Sequence, residues 1–236
     1  MWFGQGELGR ARDGLTRALA LAHAAGDMDV VVLAEDLFAR VEHALGNLNA
    51  AREWFTRSLE RFNATGSSWG TGHVLTGLAR AVLATGDVGQ AERLLDEATS
   101  TLRHAGPWFR ARTLYVRANL ALQRGNPDEA IAWVRESLTL FRELHDKFAI
   151  VYALVPLAAA AVLKGDDLWT ARILGARDAV TERTGATVVD KWLQALGEQA
   201  EREVRARLGP DRWAQAYAAG RETSIDSLLK DIDTAL

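Results

Sequence analysis

The sequence predicts an all-α solenoid, a stack of helix-turn-helix repeats closed by a C-terminal helical cap. Three observations carry this. A glycine-led pattern recurs at Gly6, Gly46, Gly86, Gly125 and Gly165, a period of about 40 residues, and self-similarity at a fixed period of that size marks repeat architectures. Within each copy the glycine leads through an apolar position to a small residue, then an apolar one four further on and a small one three beyond, as in Gly46, Leu48, Ala51, Phe55 and Ser58. That spacing puts all three on one helix face. With only four prolines and no alternating apolar pattern, little room remains for sheet.

Each glycine supplies a left-handed helix end, and the Asp or Asn behind it (Asp87, Asn126, Asp166) caps the next helix. Seven residues before each of four glycines lies another small residue, Ala39, Ala79, Ala118 and Ala158. Two close-packed helices per repeat follow.

In chain order, the first repeat has a second helix over residues 6–25 but no first helix to cover it. Trp2, Phe3, Leu8 and Leu15 therefore form an expected contact edge, either for further chain or for a partner such as another copy. Gly26-Asp27, Gly66-Ser67 and Gly106-Pro107 separate the following repeats, and His145-Asp146 takes the same place without a glycine. First helices are expected at 29–45, 68–85, 107–124 and 147–164, and second helices at 48–64, 88–104, 127–144 and 167–184. Pro107 and Pro127 suit helix starts, where the missing N–H is not needed. Residues 148–163 carry no charge, but a span needs about 20 residues. They read as a buried helix, with a kink expected at Pro156. The tail reads as helices at 188–208, 211–219 and 224–235, stopped by Gly209 and Gly220, with Ser224 as the last N-cap. The chain thus divides into a repeat array, 1–184, and capping helices, 185–236.

A net charge of −3 with acids and bases interleaved gives no basic stripe for nucleic acid. The absence of cysteine excludes disulfides and thiolate chemistry and suits a cytoplasmic location. No phosphate loop, nucleophile elbow or His-Glu-x-x-His pair is present, no metal ligand set stands out among the five histidines, and no cofactor is expected. Glu35-Asp36 reads as a solvated face and Asp166-Asp167 as a helix start. The expected protein is not an enzyme.

On Ala39, Gly46, Ala51, Phe55 and Ser58 the pattern resembles the tetratricopeptide repeat, with a period of about 40 in place of 34. That resemblance implies a right-handed superhelix. The longer repeat, together with the tail motifs around Gly175, Gly185, Trp213, Tyr217 and Ser224, is similar to the C-terminal arrays of MalT-like and LuxR-type bacterial regulators. In those proteins a nucleotide-hydrolysing switch module precedes the array.

The resemblance also implies a groove lined by the first helices. Its positions correspond here to Asp36, Arg40 and His43, then His73, Thr76 and Arg80, then Arg112, Tyr115 and Asn119, then Tyr152, Val155 and Ala159. Arg40, Arg80 and Asn119 occupy equivalent places and would form a donor ladder that, with Arg112, suits a carboxylate or phosphate. The plainer alternative is a row of solvated charges. The expected function is a module that binds a protein, peptide or small inducer and relays occupancy to modules outside this chain, with a scaffold or oligomerisation piece as the alternative. The binding reading expects a groove that excludes the chain's own ends.

Overall fold

The computed structural model describes residues 6–235, with side chains through residue 232. Among the described residues there are eleven α-helices and no strand. They are α1 (Leu8–Ala25), α2 (Met28–Leu45), α3 (Leu48–Ala64), α4 (Ser68–Leu83), α5 (Val88–Thr101), α6 (Pro107–Gln123), α7 (Pro127–Glu143), α8 (Lys147–Leu163), α9 (Asp167–Thr184), α10 (Lys191–Arg221) and α11 (Ile225–Ala235). The fold class is the all-α helical repeat that the periodicity predicts.

One turn module accounts for most of the joints. At the end of α2, Gly46 adopts φ +83° and the Asn47 N–H donates to the Glu42 carbonyl at 2.9 Å. This bond from the second residue past the helix back to its last turn closes the helix. The same bond recurs from Asp27 to Ala22, Ser67 to Phe62, Asn126 to Ala121, Asp146 to Phe141 and Asp166 to Ala161. The Asp27, Asp87, Asn126, Asp146 and Asp166 side chains then accept an N–H three residues on and start the next helix. His145 holds the glycine's place with φ +54°.

Two joints differ from the expected pattern. Helix α5 ends at Thr101, and the Ala105 N–H donates to the Leu102 carbonyl. Gly106 is not in the left-handed region; it opens α6 ahead of Pro107 rather than closing α5. In the tail, α10 starts at Lys191 because residues 185–190 are not helical. It breaks at Gly209, with φ 72° and ψ 170°, as expected, but runs through Gly220, which was expected to stop it. Gly220 has a different use: a Cβ there would meet the Arg172 backbone, and one at Gly175 would meet the Tyr217 carbonyl. These glycines let α9 and α10 touch backbone to backbone.

The chain forms two compact units, Met1–Val116 with Val189–Lys191, and Arg117–Val188 with Trp192–Leu236. This division rests on contacts, whereas the array-and-cap division of the sequence rests on pattern. In the first unit α2 pairs with α3 and α4 with α5, while α1 packs on α2 and α3 on α4. In the second, α8 packs on both α7 and α9, and α11 lies on α7. The repeat positions sit where the spacing puts them: Ala39, Ala79, Ala118 and Ala158 on first helices, and Ala51, Ala91, Ala130 and Ala171 on second helices, are each 0% exposed. Small side chains there let helices approach closely, and Phe55, Leu95 and Leu138, also fully buried, fill the space beside them. A fully buried side chain of that size contributes about 1.5–3 kcal/mol.

The uncharged stretch is α8, buried from Ile150 to Ala161 apart from the half-buried Tyr152, and continuous through Pro156. No helix among the described residues is long and apolar enough to cross a membrane. At the N-terminal end Trp2 and Phe3 lie outside the described residues. Leu8 and Leu15 are half-buried, Leu15 against Leu19, Ala22, Val31, Ala34 and Phe38. The exposed apolar side chains nearby are Leu21 on α1 (72%) and Val30, Leu33 and Leu37 on α2.

Candidate functional site

Helical spacing aligns Asp36, Arg40 and His43 on α2, and likewise His73, Thr76 and Arg80 on α4. The first unit brings these together with Arg112 of α6 and with a residue no repeat position suggests, Asp190. Arg40 grips Asp36 with two bonds, Nε to Oδ2 at 2.8 Å and Nη2 to Oδ1 at 2.9 Å. Its Nη2 also stands 2.7 Å from His73 Nε2, so the imidazole accepts there and carries its proton on Nδ1. Asp190 Oδ2 lies 3.2 Å from His43 Nδ1 and 3.7 Å from Arg80 Nε. Asp36, Arg40, His43 and Asp190 are all buried.

Burial alone would raise the Asp36 carboxyl, but the Arg40 charge and the paired bonds from Arg40, with the His73 ring 3.5 Å away, override it and hold it below the usual carboxylate range. Burial first, and the Arg40 cation second, push His73 down to about 3. Burial and then the Arg80 charge lower His43 as well. Both imidazoles are therefore neutral at pH 7. Three guanidinium groups, Arg40, Arg80 and Arg112, then face two carboxylates, Asp36 and Asp190, and one positive charge is left over.

The surplus falls on Arg112. Burial, followed by the like charges of Arg40 and Arg80, presses its guanidinium well below the usual arginine range. An arginine at neutral pH stays charged nonetheless; the direction reflects burial first and the neighbouring like charges second. The residue as a whole keeps partial contact with solvent. None of the described carboxylates forms an ion pair with it; its guanidinium instead lies 4.9 Å over the Trp108 ring. Trp108 in turn packs against His73 and Phe109, and Phe109 against Trp69. Trp69 is 46% exposed. An uncompensated cation thus borders an aromatic edge at the starts of α4 and α6.

Other expected groove residues have internal duties. Thr76 Oγ1 donates to the Gly72 carbonyl and stands 3.1 Å from Thr113 Oγ1, joining α4 to α6. Tyr115 is buried. Asn119 is buried and Tyr152 half-buried, both in the second unit with the buried Val155 and Ala159. Arg40 and Arg80 do not form a ladder of open donors: Arg40 is closed on Asp36 and Arg80 stands by Asp190, while Arg112 lies over Trp108. Glu35-Asp36 is corrected too. Neither is solvated, because α2 is covered by α1, α3 and α4; Glu35 accepts a bond from Arg57 and stands as an ion pair with Arg61, both from α3 at 2.9 Å, and the buried Glu42 pairs with Arg12 at 2.8 Å. Asp190, an internal residue, sits among these first-helix side chains. Among the described residues no group of acids and histidines is arranged to hold a metal ion.

Helix hairpins with these small and glycine positions define the class, and residues 29–104, covering α2 to α5, match the tetratricopeptide repeat family. Over 153 residues the chain is 28% identical to proteins named "Putative HTH-type transcriptional regulator" in Mycobacterium tuberculosis (strain H37Rv), in a second strain of that species, CDC 1551, and in Mycobacterium bovis. The match takes in 64% of this chain but spans only 17% of the length of those relatives.

Proposed function

We propose that this chain is a non-catalytic interaction and sensing module that takes an acidic partner segment, or an anionic inducer, on the α2, α4 and α6 face of its first unit. The observation that carries the reading is the Arg112 guanidinium: stacked on Trp108, in the field of Arg40 and Arg80, and without an ion-paired acid among the described residues. A carboxylate there gains a charge-assisted bond and relieves repulsion among three cations. The repeats at 29–104 support a protein partner, and the relatives named as transcriptional regulators support a setting in a bacterial regulator of the MalT-like or LuxR type. Occupancy would be relayed to modules outside this chain. The net charge of −3 favours a protein or inducer over direct contact with nucleic acid, and the reading places the module in the cytoplasm.

A blocked tetraglutamate peptide titrated calorimetrically tests this. Wild type is expected to bind it in preference to tetraglutamine, and Arg112→Ala to weaken binding by about tenfold or more. Equal affinity in the variant would remove the site.

A second reading, an assembly module, is favoured by the exposed Leu21, Val30, Leu33 and Leu37 side chains. Four such apolar groups on two adjacent helices are a surface that a neighbouring helix would cover. If it joins two copies, light scattering gives a dimer mass that Leu33→Asp with Leu37→Asp returns to monomer. A monomer at every concentration in wild type rules this out.

A further inference from the structure

Asp190 belongs to a short non-helical stretch with a double allegiance. Helix α9 ends at Gly185 with φ +68°, residues 185–190 are non-helical, and α10 begins at Lys191. Of this stretch, Val189–Lys191 belongs to the first unit, although the chain on either side belongs to the second. Val189 is buried, Asp190 is 2% exposed, and the Lys191 methylenes lie against Gly46 at the end of α2. Taking a carboxylate this far from water is costly unless cations meet it. The Arg80 guanidinium stands 3.7 Å from it and the neutral His43 imidazole 3.2 Å, and both line the same face as Arg40 and Arg112.

We propose that Asp190 is a built-in competitor for the partner site. This rests on the reading of the α2, α4 and α6 face as a partner-binding surface. The Asp190 carboxylate holds the His43 and Arg80 end of that face with the group an acidic partner would bring, and the Arg112 and Trp108 end stays available for first contact. The partner that fits is an extended peptide segment in which apolar residues precede an aspartate or glutamate, as Val189 precedes Asp190. It binds fully by displacing Val189–Lys191. A competitor tethered in the same chain acts at an effective concentration on the order of millimolar, so its removal has a large effect on apparent affinity.

The test uses a blocked peptide copy of residues 186–191, and the same peptide with asparagine for aspartate, titrated into wild type, Asp190→Asn and Arg112→Ala. The expected result is weak binding to wild type, binding to Asp190→Asn tighter by about tenfold or more, and loss with the asparagine peptide. In wild type, hydrogen exchange at the Val189 and Lys191 amides should speed up as the peptide saturates. This second measurement uses unaltered protein and decides even if Asp190→Asn fails to fold. Equal or weaker binding to Asp190→Asn, binding to neither protein, or unchanged exchange at saturation would overturn the competitor. If binding is then still lost in Arg112→Ala, the face remains a partner site. Binding that survives Arg112→Ala unchanged removes the face itself.

Discussion

Gly220→Ala is expected to destabilise the second unit by roughly 3 kcal/mol or more. The added methyl has nowhere to go: it would run into the carbonyl and Cα of Arg172, which are backbone atoms of α9 and cannot turn aside. Its neighbour in the crossing, Gly175, faces the Tyr217 carbonyl in the same way, so one substitution forces both helices apart. The cost exceeds that of ordinary overpacking because the contact cannot be relieved by a rotamer change. At Gly70 the methyl would instead meet the Phe62 ring, a side chain able to shift. Gly89, inside α5 and meeting only the Arg93 guanidinium at 3.8 Å and Asp87 at 4.0 Å, is the control. There alanine is expected to gain up to about 1 kcal/mol from helix propensity. Urea unfolding followed by circular dichroism separates the two; a Gly220→Ala protein as stable as wild type would mean that α9 and α10 do not approach as described.

The second large effect is loss of stability on mild acidification. His73 stands at about 3 in the folded protein against an ordinary 6.5, and His43 is lowered in the same direction. Below about pH 6.5 the unfolded chain takes up protons that these folded imidazoles refuse. Their contribution is therefore complete above 6.5 and drains away as the pH falls toward the folded values. Between pH 7 and pH 5 each histidine should cost the protein about 2 kcal/mol. Asp36, held below the carboxylate range, keeps its contribution above that range and loses it only in stronger acid, so it does not obscure the first fall. His73→Gln retains an acceptor for Arg40 and should remove about half of the pH 7 to 5 dependence. A flat profile in wild type over that interval would show that the two histidines are not buried neutral beside the arginines.

The helices were legible because their determinants are local and repeated. Gly46, Ala51, Phe55 and Ser58 announce by spacing alone a turn, a close contact and a buried face, and the same holds four more times. Gly220 misled because a glycine near a helix end serves equally as a stop or as a point of backbone contact; only its distance from Arg172, some fifty residues back, separates the two. The site was half legible. Helical spacing aligned Asp36, Arg40 and His43 with His73 and Arg80, but the carboxylates that close Arg40 and approach Arg80 come from different sources. Asp36 lies one turn away on the same helix, where an acid four residues before an arginine also fits a solvated pair. Asp190 arrives from beyond the fifth repeat, and no periodicity connects it to α2. Its sequence signal was slight: an acid after two valines, between Gly185 and a helix start. Trp108 occupies no repeat position, and its four-residue spacing to Arg112 is the one sequence signal of the ring lying under that guanidinium.

Both proposals require that an acidic segment dock beside Arg112 and Trp108. A structure of the chain with the peptide copy of residues 186–191 bound tests it most directly. The account predicts the peptide carboxylate within hydrogen-bonding reach of the first-unit arginines, with its apolar residues near the Trp108 edge and Asp190 withdrawn from His43. A peptide seated elsewhere, along Leu33 and Leu37 for instance, with Asp190 still against His43 and Arg80, would contradict it.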